Sequence, residues 1–167
     1  KKAEKNPKNS IFKAADFDEN FLPMLQADQV ILDAMCAAWE SVTDEDDSKF
    51  EAFEDLLNHE LFKKTINPGQ KLVIFSEALD TVDYLARRIG RDDVMVISAG
   101  NRSTQFKTIC ENFDANYKTK KDDYNIIITT DVLAEGVNLH RSNIIINYDT
   151  PWNSTRLMQR IGRVNRI

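Results

Sequence analysis

The sequence predicts an α/β domain, a doubly wound parallel sheet with helices on both faces, preceded by an N-terminal helical extension. Three observations predict it. From residue 71 onward, short apolar runs rich in β-branched residues lack the in-out alternation of a half-solvated strand, so they read as strands buried on both faces. Amphipathic helical patterns separate those runs, and a strand followed by a helix followed by a strand closes as a right-handed parallel crossover. Turn signals, Asn67-Pro68-Gly69 above all, set the first run off from the helical sequence before it.

Taken in order, residues 1–27 are Lys-, Asn- and Pro-bearing with little periodicity and are expected to form a flexible or irregular arm. Residues 28–69 form the helical extension. Val30, Ile31, Ala34, Met35, Ala38 and Trp39 recur at helical spacing from Asp28 to Glu40. An acidic loop follows, and Ser48 with Glu51 three residues later is a capping-box signature. That second helix is expected to bury Phe50, Phe53, Leu57, Leu61 and Phe62. Residues 70–167 are the sheet domain. Its four runs are Lys71–Phe75, Val94–Ile97, Tyr124–Thr130 and Asn143–Tyr148. A helix over about Glu77–Ile89 should bury Leu79, Val82, Leu85, Ala86 and Ile89, and the next should bury Phe106, Ile109, Cys110 and Phe113. Asn153 leads into the closing helix.

Composition narrows the function. A chain 42% hydrophobic can fill a core, and 29% charged residues give it a soluble surface. No run reaches the about 20 apolar residues of a membrane span, so a cytoplasmic protein without a membrane partner is expected. Cys36 and Cys110 have no metal-ligand spacing and read as reduced core residues. The net charge of −5 excludes a whole-surface grip on nucleic acid and leaves only a local patch.

Two stretches can carry chemistry. Arginines at 156, 160, 163 and 166 follow a spacing of four, three and three, which on a helix makes one guanidinium ridge. Such forks pair with phosphate oxygens, although a charged helix face is also commonly just solvated surface. Gly162 among them permits close approach to the backbone. The second stretch, Thr129-Thr130-Asp131 through Gly136-Val137-Asn138-Leu139, follows the third run, and ligands of open α/β sheets gather at the carboxyl ends of the strands. Its hydroxyls can bind phosphate beside main-chain amides, or Thr130 and Asp131 can simply cap the following turn.

Ile128-Thr-Thr-Asp-Val-Leu-Ala-Glu-Gly-Val-Asn-Leu139 resembles the fifth motif of superfamily 2 helicases, and Gln159-Arg-Ile-Gly-Arg-Val-Asn-Arg166 resembles the sixth. Leu72-Val-Ile-Phe-Ser76 is similar to the fourth. The resemblance covers roughly residues 70–167 and implies a RecA-like second motor domain. Asn147-Tyr-Asp-Thr-Pro-Trp-Asn153 and the Gln at 159, where DEAD-box proteins usually carry His, resemble the bacterial Swi2/Snf2-type, RapA-like branch of DNA-dependent ATPases. What the resemblance implies is specific. Arg163 and Arg166 match the arginines that reach ATP phosphates across a cleft. Gln159, Gly162, Gly136 and Asn138 match nucleotide-side positions. Thr130, Thr129, Ser76 and Gly100 match contacts to the nucleic-acid backbone.

The resemblance further implies ATP and Mg²⁺, both held mainly by a first motor lobe, and two partners, duplex DNA and that N-terminal RecA-like lobe. No G-x-x-x-x-G-K-[ST] loop is present, so the fragment alone is expected to hydrolyse no ATP. Two other readings remain open: the lobe of an RNA helicase, and a non-catalytic α/β module binding nucleic acid or protein.

Overall fold

The computed structural model describes residue 10 and residues 12–165. They divide into two units, Lys1–Ser48 and Lys49–Ile167. The first unit holds helix α1 (Phe21–Glu40), which starts seven residues before the expected Asp28. The irregular arm expected at residues 1–27 therefore extends at most to Asn20; residues 1–9 and 11 lie outside the described residues. No residue of α1 is buried, and Cys36 on it is exposed, against the expectation of a core cysteine. Periodicity reports that a helix has an apolar stripe but not that the stripe has found a cover.

The second unit carries α2 (Ser48–His59), β1 (Leu72–Phe75), α3 (Leu79–Ile89), β2 (Val94–Ile97), α4 (Arg102–Phe113), β3 (Ile126–Thr129), β4 (Ile144–Asn147) and α5 (Ser154–Val164). The sheet runs β2-β3-β1-β4 with every pairing parallel. Leu72 pairs with Ile126 and Ile144, and Phe75 with Thr129 and Asn147, so all four carboxyl ends lie along one edge. Strand side chains alternate between two cores. Leu72, Ile74, Ile126 and Ile128 face Phe50, Phe53 and Leu57 of α2 and Val82 and Leu85 of α3. Val73, Phe75 and Ile127 face Ile109 and Phe113 of α4, with Val164 of α5 packed alongside. Helices thus cover both faces, and the RecA-like α/β architecture is the one the sequence predicts.

Four expected core positions differ. α2 ends at His59, so Leu61 and Phe62 pack against the core from the turn beyond it. Leu79 opens α3 and is 47% exposed, and Phe106 is 45% exposed. The buried residues of α4 are all in its last stretch, Ile109 to Phe113, so its first half overhangs the core. Below the sheet, at the opposite end from the carboxyl edge, the ammonium of Lys71 is buried and donates to Tyr124 O at 2.6 Å and Asn125 Oδ1 at 3.1 Å. Burial lowers its pKa, and Asp122 at 3.0 Å opposes that shift. No helix among the described residues is long and apolar enough to cross a membrane.

Candidate functional site

The carboxyl edge assembles three segments: the loop after β1, the loop after β3 and helix α5. Asn153 caps α5, its side chain accepting the Thr155 amide at 2.9 Å. The arginine ridge expected along α5 does not survive as one ridge. Arg160 is completely buried; its Nε donates to Asp131 Oδ1 at 2.6 Å, and its Nη1 donates to Asn147 Oδ1 at 2.8 Å and Asp149 O at 3.4 Å. Its guanidinium also lies 5.1 Å from the Phe75 ring centroid. Arg156 is exposed and pairs with Asp131 at 3.4 Å and Glu77 at 3.8 Å. Two of the four guanidiniums therefore bind α5 to the strand ends.

Arg163 differs from both. It is half-buried, its carbonyl accepts the Leu139 amide at 2.9 Å, and its Nε, like Nη2 of Arg160, is buried with no hydrogen-bond partner among the described residues. Among the described residues no carboxylate pairs with it. Beside it, a Cβ placed on Gly162 would meet nothing within 4 Å. A guanidinium held next to the Gly136–Leu139 loop without a carboxylate partner among the described residues suits an anion that brings its own oxygens. Arg166 lies outside the described residues.

Gly136 takes φ +73°, and a Cβ there would come within 2.7 Å of Arg102 Nη2. That guanidinium donates to Glu135 O at 2.7 Å, so Arg102, from the start of α4, pins the loop at its glycine. Asn138 is half-buried two residues on. Thr130 and Gln159, which the sequence assigns to different ligands, line one open cavity of about 460 Å³ with Arg102, Asp131, Glu135 and Arg156. Thr130 stands at the N-cap position of the 3₁₀ turn Asp131–Leu133 without a side-chain cap bond, leaving its hydroxyl available to that cavity.

The remaining expected contacts are placed elsewhere. Thr129 is buried, its hydroxyl donating to Ile97 O at 2.9 Å. Ser76 is also buried and donates to Asp149 Oδ2. Neither presents a side chain to solvent, because each sits at a strand end inside the sheet's own hydrogen bonding. Burial works to raise the Asp149 carboxyl, but bonds from Ser76 and Lys49, the latter at 2.9 Å, outweigh it and hold the pKa below the usual value. Gly100 lies exposed after β2, and a Cβ added to it would stand 3.8 Å from Ser98 Oγ, its nearest neighbour. Sequence reasoning left Arg160 and Arg156 between structure and ligand. Asp131 and Asn147, polar residues at strand ends, resolve them once the fold brings both to α5.

The chain is similar to known proteins. The family model of the helicase conserved C-terminal domain matches residues 48–167. An uncharacterized ATP-dependent helicase of Bacillus subtilis, YqhH, is 36% identical over 110 residues, which are 55% of this chain and 19% of that protein. The ATP-dependent RNA helicase eIF4A of Yarrowia lipolytica is 33% identical over 121 residues, 71% of this chain and 27% of its own. The chain thus spans less than a third of either relative. Among solved structures, the C-terminal part of the Fun30 ATPase domain superposes with a TM-score of 0.55 at 19% identity, covering 83% of this chain and 46% of that one, a likeness of fold. With a four-stranded parallel sheet, fifth- and sixth-motif segments meeting at its carboxyl edge and a family match across the whole second unit, the chain belongs to the helicase conserved C-terminal domain family, as the C-terminal lobe of a superfamily 2 helicase.

Proposed function

We propose that this chain is the second motor lobe of a Swi2/Snf2-like, ATP-dependent DNA translocase or helicase, and that Arg163 is its described phosphate-reaching residue. The observation that carries this reading is the unpartnered Nε of Arg163 beside the Gly136–Leu139 loop and the open flank of Gly162. ATP with Mg²⁺ supplies the phosphoryl group and is held mainly by a first lobe. Cleft closure brings Arg163, joined by Arg166, onto the phosphates, where a fixed guanidinium neutralises charge developing on the transferred group. Gln159 orients that network from the shared cavity, and Gly162 leaves it room. Gly136 and Asn138 shape the loop on the nucleotide side. Thr130, at the same cavity, and Gly100, at the neighbouring strand end, offer the contacts to a nucleic-acid backbone. The cavity common to Thr130 and Gln159 supports coupling between strand binding and the phosphate side.

The experiment uses the full-length polypeptide. Arg163→Ala is expected to lower kcat for ATP by about 10³ or more while nucleotide binding persists, and the isolated chain is expected to show no turnover. Unchanged kcat in the variant would favour the non-catalytic module instead. An RNA-helicase reading stands beside the DNA one, because relatives named as RNA helicases match this chain as YqhH does. The resemblance of Asn147–Asn153 and Gln159 to the Swi2/Snf2 branch favours DNA. ATPase stimulation by duplex DNA but not by single-stranded RNA supports it, and the reverse order assigns the lobe to RNA.

A further inference from the structure

Helix α1 is apolar almost all round, yet none of its residues is buried. Phe21, Leu25, Leu32, Met35 and Trp39 follow a four-three repeat with Asp28 at the one remaining seam position. Phe21, Leu25 and Trp39 are 40%, 49% and 72% exposed. At the start of the helix Phe12, Phe17 and Phe21 cluster, with Phe17 and Phe21 stacked at 4.6 Å. With Asp18 and Glu19 they line a cavity of about 450 Å³, an aromatic hollow edged by carboxylates.

Charge decides what can cover this surface. Between residues 12 and 42 the sequence has six acidic residues and one basic residue, Lys13. An anionic membrane and a nucleic acid are both repelled by such a segment. A second copy would add another acidic segment and set Asp28 into a seam already carrying one, so self-pairing meets like charges where a coiled coil wants apolar side chains.

We propose that residues 12–42 are a docking element for a separate protein partner that presents a basic amphipathic helix. In this arrangement the partner's apolar stripe covers the Phe21-to-Trp39 seam, a Lys or Arg lies opposite Asp28, and a second cation enters the hollow of Phe12, Phe17 and Phe21. Ring faces and the Asp18 and Glu19 carboxylates both attract a cation there. The assignment does not depend on the motor reading.

Two synthetic helical peptides with the same Leu/Ile heptad seam, one flanked by Lys and one by Glu, test it against the 167-residue chain. Trp152→Phe leaves Trp39 as the only tryptophan, and its emission reports seam burial. The Lys peptide is expected to bind and shift Trp39 emission to the blue, and the Glu peptide to fail. Asp28→Lys is expected to weaken the Lys peptide by about tenfold or more, and circular dichroism confirms that the variant stays helical. Three results overturn the proposal: equal binding of both peptides, no binding of either, or a chain that sediments as a dimer through α1. A full-length polypeptide that rejects the Lys peptide would also overturn it, by showing that the polypeptide covers its own helix.

Discussion

Asp131 Oδ1 lies 2.6 Å from Nε of Arg160, a guanidinium with no exposed surface, so a residue beginning the turn after β3 neutralises a charge buried under α5. This contact joins the fifth- and sixth-motif segments. Removing the carboxylate strands a desolvated cation. Asp131→Ala is expected to lower unfolding free energy by roughly 3 kcal/mol, and Asp131→Asn by less because an acceptor remains. Urea denaturation followed by far-UV circular dichroism measures both.

Gly136→Ala meets two obstacles, a positive φ and the Arg102 guanidinium 2.7 Å from the new methyl. The expected loss is about 1–3 kcal/mol. Arg102→Ala in the same chain relieves the clash but not the backbone strain, so a double-mutant cycle should show partial recovery. Gly162→Ala, with nothing within 4 Å, should leave stability within about 0.5 kcal/mol of the parent. In the full-length protein the same methyl enters the space beside Arg163 and is expected to reduce ATP turnover.

Acid should loosen this lobe through identifiable carboxylates. Hydrogen bonding from Arg91 lowers the Asp93 pKa, hydrogen bonding from Lys71 lowers that of Asp122, and Asp149 is lowered despite burial. Folded pKa values below the unfolded value of about 3.9 mean that the unfolded chain binds these protons first. Their stabilisation is complete above that pH and lost as pH falls through the folded values. Asp149→Asn should flatten the decline below about pH 4, measured as the denaturation midpoint against pH.

Leu57 of α2 is 3% exposed and packs with Leu72, Ile74 and Leu85. Leu57→Ala is expected to cost about 2–5 kcal/mol, the range for emptying a core leucine site, and to shift the single cooperative transition of the second unit. A loss confined to an early minor transition would mean that α2 unfolds separately.

Much of this was legible in the linear chain because its strongest signals are local. Ile126-Ile127-Ile128 and Ile144-Ile145-Ile146 read as strands on their β-branched runs alone, the first central and the second at the sheet's edge, and the fifth- and sixth-motif segments are placed by them. What could not be read was the division of labour within α5. Arg156, Arg160 and Arg163 look alike along the helix, and only folding brings Asp131, 29 residues from Arg160, beneath one of them. The hydroxyls of Ser76 and Thr129 were ambiguous for the same reason: a polar residue closing an apolar strand can turn outward to ligand or inward to a protein acceptor, and both turn inward. Phe106 and Leu79 show the limit of periodicity, which assigns a face but not how far along a helix the core extends.

The seating of Phe50, Phe53 and Leu57 on the sheet bears on where this lobe can be cut. A gene trimmed to the recognisable motifs would start near residue 70 and hand the solvent a slab of leucine and isoleucine. Such a truncate should precipitate on expression, whereas one beginning at Ser48 keeps its lid.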